Sequence, residues 1–568
     1  MVDAVQAPKS SVSTSSVWQL VKYALLALLL MFVLLTSLHF VTLRLGIGTE
    51  SHAAVDFENN SITLNLGSEP PQLDSTRSTD MVSGQVLGHV MEGLIRYGPN
   101  NEILPGMATS WEVSELKGTF YLREDAFWSD GTPVTAHDFV FAWQTVLKPE
   151  TASQYSFILY PLKNAEAIDN EEMAVETLGA TALNDYTLQV DLEQPTPYFI
   201  KLLAFFTYLP INEEFYNSRE RKYGTNAEDL IYNGPFVISK WQHGSRLRLE
   251  KNHTYWNKEE TLLDAIDFGY ILSDPTATIN LFATEKIVMA GLQAENIERA
   301  LANGWPIKEH VDGSVFYLGF NHREERPSSN RNLRKAIQLV CDPEELVYKV
   351  LKTPGNRPGE SIFPVWLKGV EGLFRDEYPA PKHERNIELA QQYLANALNE
   401  LGLAEPPRLT FLTGDSEFST KHAEYYQNLF KQNLGIEVRI DQQTFSQRLA
   451  MMTSGDYDIV AAGWGPDYDD VLTFGDLFTS WNLNNRGLFK NDELDRNVQI
   501  AQQSSDARTR MEAMDRVQHI LYEEAAIIFE YERGSSYVAD DRVQGITRRA
   551  VGTDPDFTRA YLVKPETE

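Results

Sequence analysis

Apolar and polar residues alternate along SITLNLG at 61–67, the period of a strand. From Met81 the spacing becomes that of a helix face and runs through MVSGQVLGHVMEGLIRY to Tyr97. The segment TFYLREDAFWSDGTPVTAHDFVFAWQTVL predicts a strand, a Ser-Asp-Gly turn, and a helix with Thr135 as its N-cap. TLQVDLEQ, FVISKW and RLRLEKN read as further strands, and residues 387–402 as an amphipathic helix. LTFLTG, EVRID and YDIVAAGW are strand-like, with helical HAEYYQNLFKQNLG between the first two. A helix over 506–527 and the strand-like pieces AIIFEY and SSYVAD close the pattern. Strands and helices mix throughout, without a 20–50-residue repeat, which predicts an α/β class.

One stretch breaks this rhythm. Tyr23 to Leu43 carries no Asp, Glu, Lys or Arg, and about 20 apolar residues suffice to cross a bilayer. Lys9 and Lys22 precede it, favouring an inside N-terminus. The run exceeds the roughly 7–15 residues of a signal-peptide core. It reads as an uncleaved anchor over 23–43, between a polar N-terminus at 1–22 and a tether at 44–58. Cleavage after SHA at 51–53 is the alternative, and either reading exports the rest of the chain.

A chain of 568 residues is too long for one ordinary core, so two or three compact units are expected. A net charge of -30 repels phosphate backbones and argues against nucleic acid as a partner. Cys341 is the single cysteine, so no intrachain disulfide or Cys-x-x-Cys metal site can form, and its helix-like surroundings predict a small buried apolar side chain. The 11 His are scattered without a ligand-spaced pair, so no metal or cofactor is implied. The chain has no Gly-x-Ser-x-Gly, His-Glu-x-x-His, Walker or Gly-x-Gly-x-x-Gly motif, which removes the sharp enzyme hypotheses.

The stretch GWGPDYDDVLTF at 463–474 sets Asp467, Asp469 and Asp470 beside a Trp and a Tyr. By residue type alone it could be a solvated turn or a site. Around WSDGTPV at 128–134 the chain resembles the solute-binding proteins of peptide-importing ABC transporters. LPGMATSWEVS at 104–114, NGPFVISKW at 233–241, LEKNHTYWN at 249–257, VFYLGFN at 315–321, LRKAIQLVCD at 333–342 and GWGPDYDD at 463–470 extend the likeness over about residues 60–560.

The resemblance implies a two-lobed periplasmic-binding-protein fold (type II). Lobe I would comprise 59–95, 230–311 and 525–568, with a domain inserted at 96–229, and lobe II 312–524. It implies a monomer at the periplasmic face of the inner membrane that hands peptides to the permease subunits of an ABC importer and is not an enzyme. Asp467 would capture the ligand's α-ammonium, with backbone contacts from Trp464 and Gly465. Thr79, Asp80 and Met81 would flank the ligand's main chain, Tyr155 would reach in from the inserted domain, and Phe445 would line a pocket, with core packing as its alternative. Tyr468 reads as structural. Met452, Thr453 and Ala461 stand where some members carry basic residues for the ligand's carboxylate, leaving Arg323, Arg448 or His322 as substitutes. A non-peptide solute, such as a metal chelate or haem, and a tethered signalling or structural relative with a degenerate pocket stay open as alternatives.

Overall fold

The computed structural model describes residues 53–99 and 102–564, with scattered positions between Trp18 and Met31. The scattered positions are helical and exposed, and most of the 23–43 run lies outside the described residues. No helix among the described residues is long and apolar enough to cross a membrane.

From Ala53 onward the chain is one compact α/β unit built on three main sheets. The first orders its strands Val55–Asp56, Ser61–Leu66, Ala265–Ile271, Arg246–Lys251 and Phe236–Gln242. The second runs Met289–Leu292, Ile527–Ala539, Lys308–Phe320, Ile459–Trp464, Leu409–Gly414 and Val438–Gln443, with Arg357–Pro358 added on Ile527–Ala539. The third is antiparallel: Ala108–Val113, Lys117–Leu122, Thr187–Asp191 and Ala180–Asn184. The strands at 409–414, 438–443 and 459–464 pair in parallel, which requires the crossover helices Glu417–Leu434 and Phe445–Ser454.

Local chemistry accounts for most elements. Asp138 accepts from the Thr135 backbone N–H at 2.7 Å, tying off the start of the Ala136–Leu147 helix. That helix buries Phe139, Ala142 and Trp143 in a core shared with Phe120 and Leu188 of the third sheet. Asn386 caps Ile387–Leu401 by accepting from Leu389 N–H, and Gly402 ends it at φ +67°. Cys341 is buried and its thiol donates to the Ile337 carbonyl.

Three expectations need correction. The helix from Met81 stops at Val90, and Ile95–Tyr97 is a strand. Asn233, distant in sequence, accepts from Glu92 N–H at 3.0 Å and donates to its carbonyl at 2.8 Å, holding the backbone off the helical path. Helical spacing could not reveal that tertiary clamp. The pieces at 526–531 and 535–540 belong to one strand, Ile527–Ala539, because Lys308–Phe320 runs beside its whole length. The helix expected at 422–435 begins earlier, at Glu417, where Ser416 accepts from Ser419 N–H.

The two long strands position the site. Their ladder is interrupted between Val311 and Val315. Gly313 there has φ +85°, and a Cβ would sit 2.9 Å from that of Ala550, so only glycine fits this crossing without a shift.

Candidate ligand-binding site

Beside this interruption lies a cavity of about 520 Å³, within the ~300–1,000 Å³ typical of sites that enclose an organic ligand. Ser314 and Arg533 line it at the crossing. The strand Ile459–Trp464 feeds it: its last ladder pair is Val315 with Trp464, and the chain then turns out as a loop past the strand's carboxyl end. Open α/β sheets place ligands at such strand ends. Thr473 braces the loop at both ends, accepting from Trp464 Nε1 on its carbonyl and from Asp467 N–H on its hydroxyl, each at 2.8 Å.

All eight residues singled out in the sequence line this cavity: Thr79, Asp80, Met81, Tyr155, Phe445, Trp464, Gly465 and Asp467. Asp80 has a structural duty as well. Its carboxylate caps the Met81–Val90 helix, accepting from Ser83 N–H at 2.8 Å and Ser83 Oγ at 2.7 Å. Met81 is exposed and covers Gly465, where an added Cβ would fall 2.7 Å from its sulfur. Phe445 opens the Phe445–Ser454 helix and lies half-buried on the cavity wall. Tyr468 is buried against Tyr198, its ring stacked at 5.8 Å.

The three aspartates of the loop have different surroundings. Asp470 pairs with Arg510 at 2.5 Å, both side chains buried. Asp469 pairs with Lys201 at 3.3 Å, and its carbonyl accepts from the same ammonium at 2.5 Å. Asp467 has no cation partner among the described residues. Its two oxygens accept from the Tyr155 hydroxyl at 3.2 and 3.1 Å. Tyr155 is itself fixed by an aromatic cluster, with ring centroids 4.9 Å from Phe205, 5.8 Å from Phe206 and 6.3 Å from Trp464. Burial pushes the Asp467 carboxyl well above the ordinary carboxylate range; the Tyr155 hydrogen bond works against this, and the charge of Asp476 adds to it. A carboxylate enclosed by protein without a counter-ion gains from a cation entering the cavity.

Of the three proposed carboxylate-binding substitutes, Arg448 alone lines this cavity. The Arg323 guanidinium is committed to Asn321 Oδ1 and the carbonyls of Arg486 and Thr453. His322 is desolvated, its pKa lowered to about 3, and its Nε2 is bonded to the Ala526 carbonyl. Reading the sequence alone missed Arg486, which lines the wall beside Thr79. It follows NLNN in a loop-like stretch, with no periodicity to mark it. Among the described residues no group of His, Cys, Asp and Glu is arranged to hold a metal ion.

A family model described as "Bacterial extracellular solute-binding proteins, family 5 Middle" matches residues 102–485. The chain is 31% identical over 535 residues to the oligopeptide-binding protein OppA of Bacillus subtilis, covering 91% of this chain and 95% of that protein. The substrate-binding domain of an oligopeptide ABC transporter from Bacillus anthracis superposes with a TM-score of 0.85 at 33% identity, covering 89% of this chain and 99% of the other. The structure of Listeria monocytogenes OppA bound to peptide gives 0.84 at 30%, covering 89% and 100%.

Proposed function

The chain belongs to the bacterial extracellular solute-binding proteins of family 5, and from that premise we propose that it binds peptides in this cavity and delivers them to an ABC importer. The carrying observation is Asp467, which lines the cavity and, alone of the three carboxylates of its loop, has no cation partner among the described residues. A peptide's α-ammonium supplies the missing charge. Backbone at Trp464 and Gly465, just past the end of a ladder, suits an extended ligand that pairs as an added strand would. Thr79, Asp80 and Met81 flank that ligand, Tyr155 orients Asp467, and Phe445 meets a side chain. Side-chain tolerance follows, because such pairing reads main chain.

The same reading assigns lobe I to 59–95, 230–311 and 525–568, the inserted domain to 96–229, and lobe II to 312–524. The ladder interruption between Val311 and Val315 supports the boundary at 311/312. The protein works as a monomer against the permease subunits, at the periplasmic face of the membrane. Relatives from Escherichia coli and Salmonella typhimurium are named periplasmic oligopeptide-binding proteins. The uncharged run 23–43 would hold it there. Carbonate extraction of membranes should leave the full chain in the pellet, whereas a soluble mature form beginning near Ala54 would reduce the run to a signal.

Calorimetric titration of the full chain with tri- to pentapeptides tests the reading. Free-amine peptides should bind; failure of all of them, with binding of a non-peptide solute, sinks it. Affinity should also be bell-shaped in pH. Binding needs Asp467 charged, so affinity falls as pH drops through its raised value, above the ~4 of an ordinary Asp. On the alkaline side it falls as the peptide amine, with pKa about 8, loses its proton. N-acetylated peptides should lack both limbs.

A further inference from the structure

The elements that meet at Asp467 belong to different sheets. The site loop leaves the Ile459–Trp464 strand of the second sheet. Tyr198 and Lys201 belong to the body of the third: Phe199, between them, packs its ring on Phe120 of that sheet, with centroids 6.5 Å apart. Tyr155, whose hydroxyl covers both oxygens of Asp467, joins the same body through Phe205 and Phe206. A ligand ammonium reaches Asp467 only where Tyr155 and the loop move apart.

Contacts outside the cavity oppose that movement. The Lys201 ammonium donates to the Asp469 carbonyl at 2.5 Å and lies 3.3 Å from its carboxylate. The Tyr97 hydroxyl fixes Lys201 from behind, donating to its carbonyl at 3.2 Å. The Tyr468 ring stacks on that of Tyr198 at 5.8 Å, with 14° between the planes. The Arg510 guanidinium, held by Asp470, lies 5.2 Å from the Tyr198 ring centroid. An exposed ion pair alone counts for little. Here the ammonium also meets a carbonyl, and both tyrosines are buried in the contact. A charge-assisted bond and an aromatic pair each add to what the ion pair supplies.

Tyr198, Lys201, Tyr468, Asp469 and Arg510 do not line the cavity, so these contacts form with or without a ligand and touch no part of one. The structure superposes on the Escherichia coli murein tripeptide binding protein MppA with a TM-score of 0.82, and on MppA in an unliganded open form with 0.59. Identity is 26% in both, over 89% and 90% of this chain and 99% of each of the others. The arrangement here is the nearer to the former.

We propose that Lys201 and Tyr198 form a latch on the site loop: from outside the cavity they hold Asp467 in its binding position and raise the affinity for every ligand by one common factor. The inference rests on the peptide reading of the cavity and on its division into lobes, and it adds a part of the binding energy that no ligand group supplies. Apparent affinity scales with the fraction of molecules already in the competent arrangement. Contacts that a ligand does not touch change this fraction and leave recognition as it was. They also slow release, because a bound ligand leaves only after the loop parts from Tyr198 and Lys201.

Calorimetry and dissociation kinetics on the full chain in mild detergent test the latch with trialanine, penta-alanine and Ala-Lys-Ala. Lys201→Met keeps the side chain's stem at a half-exposed position and removes the ammonium. It should weaken all three peptides by the same factor, about three- to tenfold, the net worth of one hydrogen bond, mainly through faster dissociation. The same factor should appear in an Asp467→Asn background, because the latch does not act through the amine contact. Tyr198→Leu removes the stacked ring and should give a larger common factor; Lys201→Met carries the test if that variant unfolds. Spin labels on Thr181→Cys and Lys490→Cys, both exposed, read the arrangement of the unliganded chain, since Cys341 is buried. Both latch variants should shift the interlabel distances, and saturating trialanine should restore them. A loss that differs from peptide to peptide, or that vanishes in the Asp467→Asn background, overturns the latch and makes Lys201 a support of the amine contact. Unchanged affinities and distances in Lys201→Met overturn it as well. Failure of every peptide to bind the wild type removes the peptide reading instead, and the label distances then decide the latch alone.

Discussion

Replacing Asp467 by Asn is expected to weaken binding of free-amine peptides by about 2–5 kcal/mol, the usual loss on truncating one partner of a buried, hydrogen-bonded charge pair. The isostere keeps the side chain's shape and one acceptor for the Tyr155 hydroxyl, which now reaches both carboxylate oxygens. It removes the charge that matches the ligand's ammonium. N-acetylated peptides should bind the wild type poorly and be nearly indifferent to the substitution, so the four affinities form a double-mutant cycle between protein and ligand. Equal losses for free and acetylated peptides would show that Asp467 does not hold the amine. The amine contact would then pass to Asp80 or Asp469. Both are already engaged, Asp80 as a helix cap and Asp469 by Lys201, so that outcome would require the site to rearrange.

The unliganded fold should respond in the opposite sense. The Asp467 carboxyl is raised in the folded chain relative to the unfolded one. Its contribution to stability is therefore fully present below the unfolded value, near 4, and lost as pH rises through the folded value. Asn has no such loss. Thermal melts near neutral pH should place Asp467→Asn at or above the wild type, with the difference shrinking in acid.

Arg510→Met is expected to lower folding stability by about 3–5 kcal/mol, because it strands Asp470 as a buried charge. The pair is 2.5 Å apart, with side chains 8% and 9% exposed. Arg510 also donates from Nε to the Ala501 carbonyl, and Asp470 accepts from Leu472 N–H, so the pair ties the Ala507–Glu523 helix to the site loop. Losing the cation leaves the Asp470 carboxylate uncompensated beside Asp476, whose own carboxyl is pushed up to about 8 by burial and by the Asp470 charge. The deficit in folding stability relative to the wild type is the quantity to read. Urea unfolding at pH 5 and pH 8 measures it. The double substitution Asp470→Leu with Arg510→Met should recover much of the loss, since an apolar pair of similar volume needs no counter-charge. A single variant as stable as the wild type at both pH values would show that the ion pair carries no weight.

These two aspartates, three positions apart, mark how far the sequence can be read. The alternation in SITLNLG is enough to specify the strand Ser61–Leu66. The Thr135–Asp138 pair specifies a helix start, and the spacing after Asn386 specifies the Ile387–Leu401 helix. These signals act over a few residues, where backbone sterics and capping bonds operate directly. The segment at 463–470 could be singled out because its residue types match a family pattern, and the cavity collects all eight residues chosen that way.

Which aspartate faces the cavity is a different kind of fact. Asp467 meets Tyr155 from 312 positions away, Asp469 meets Lys201 from 268, and Asp470 meets Arg510 from 40. The helix that ends at Val90 and does not continue to Tyr97 is decided by Asn233, 141 positions from Glu92. Arg486 has no cue in its own neighbourhood; its place on the cavity wall is set by Gln154 and Thr79, 332 and 407 positions away. Sequence alone determined the class, the local elements and the candidate residues, because short-range sterics and capping encode them. Tertiary structure decided which charges are paired and which are left for a ligand, because burial and long-range packing set the partner of each charge.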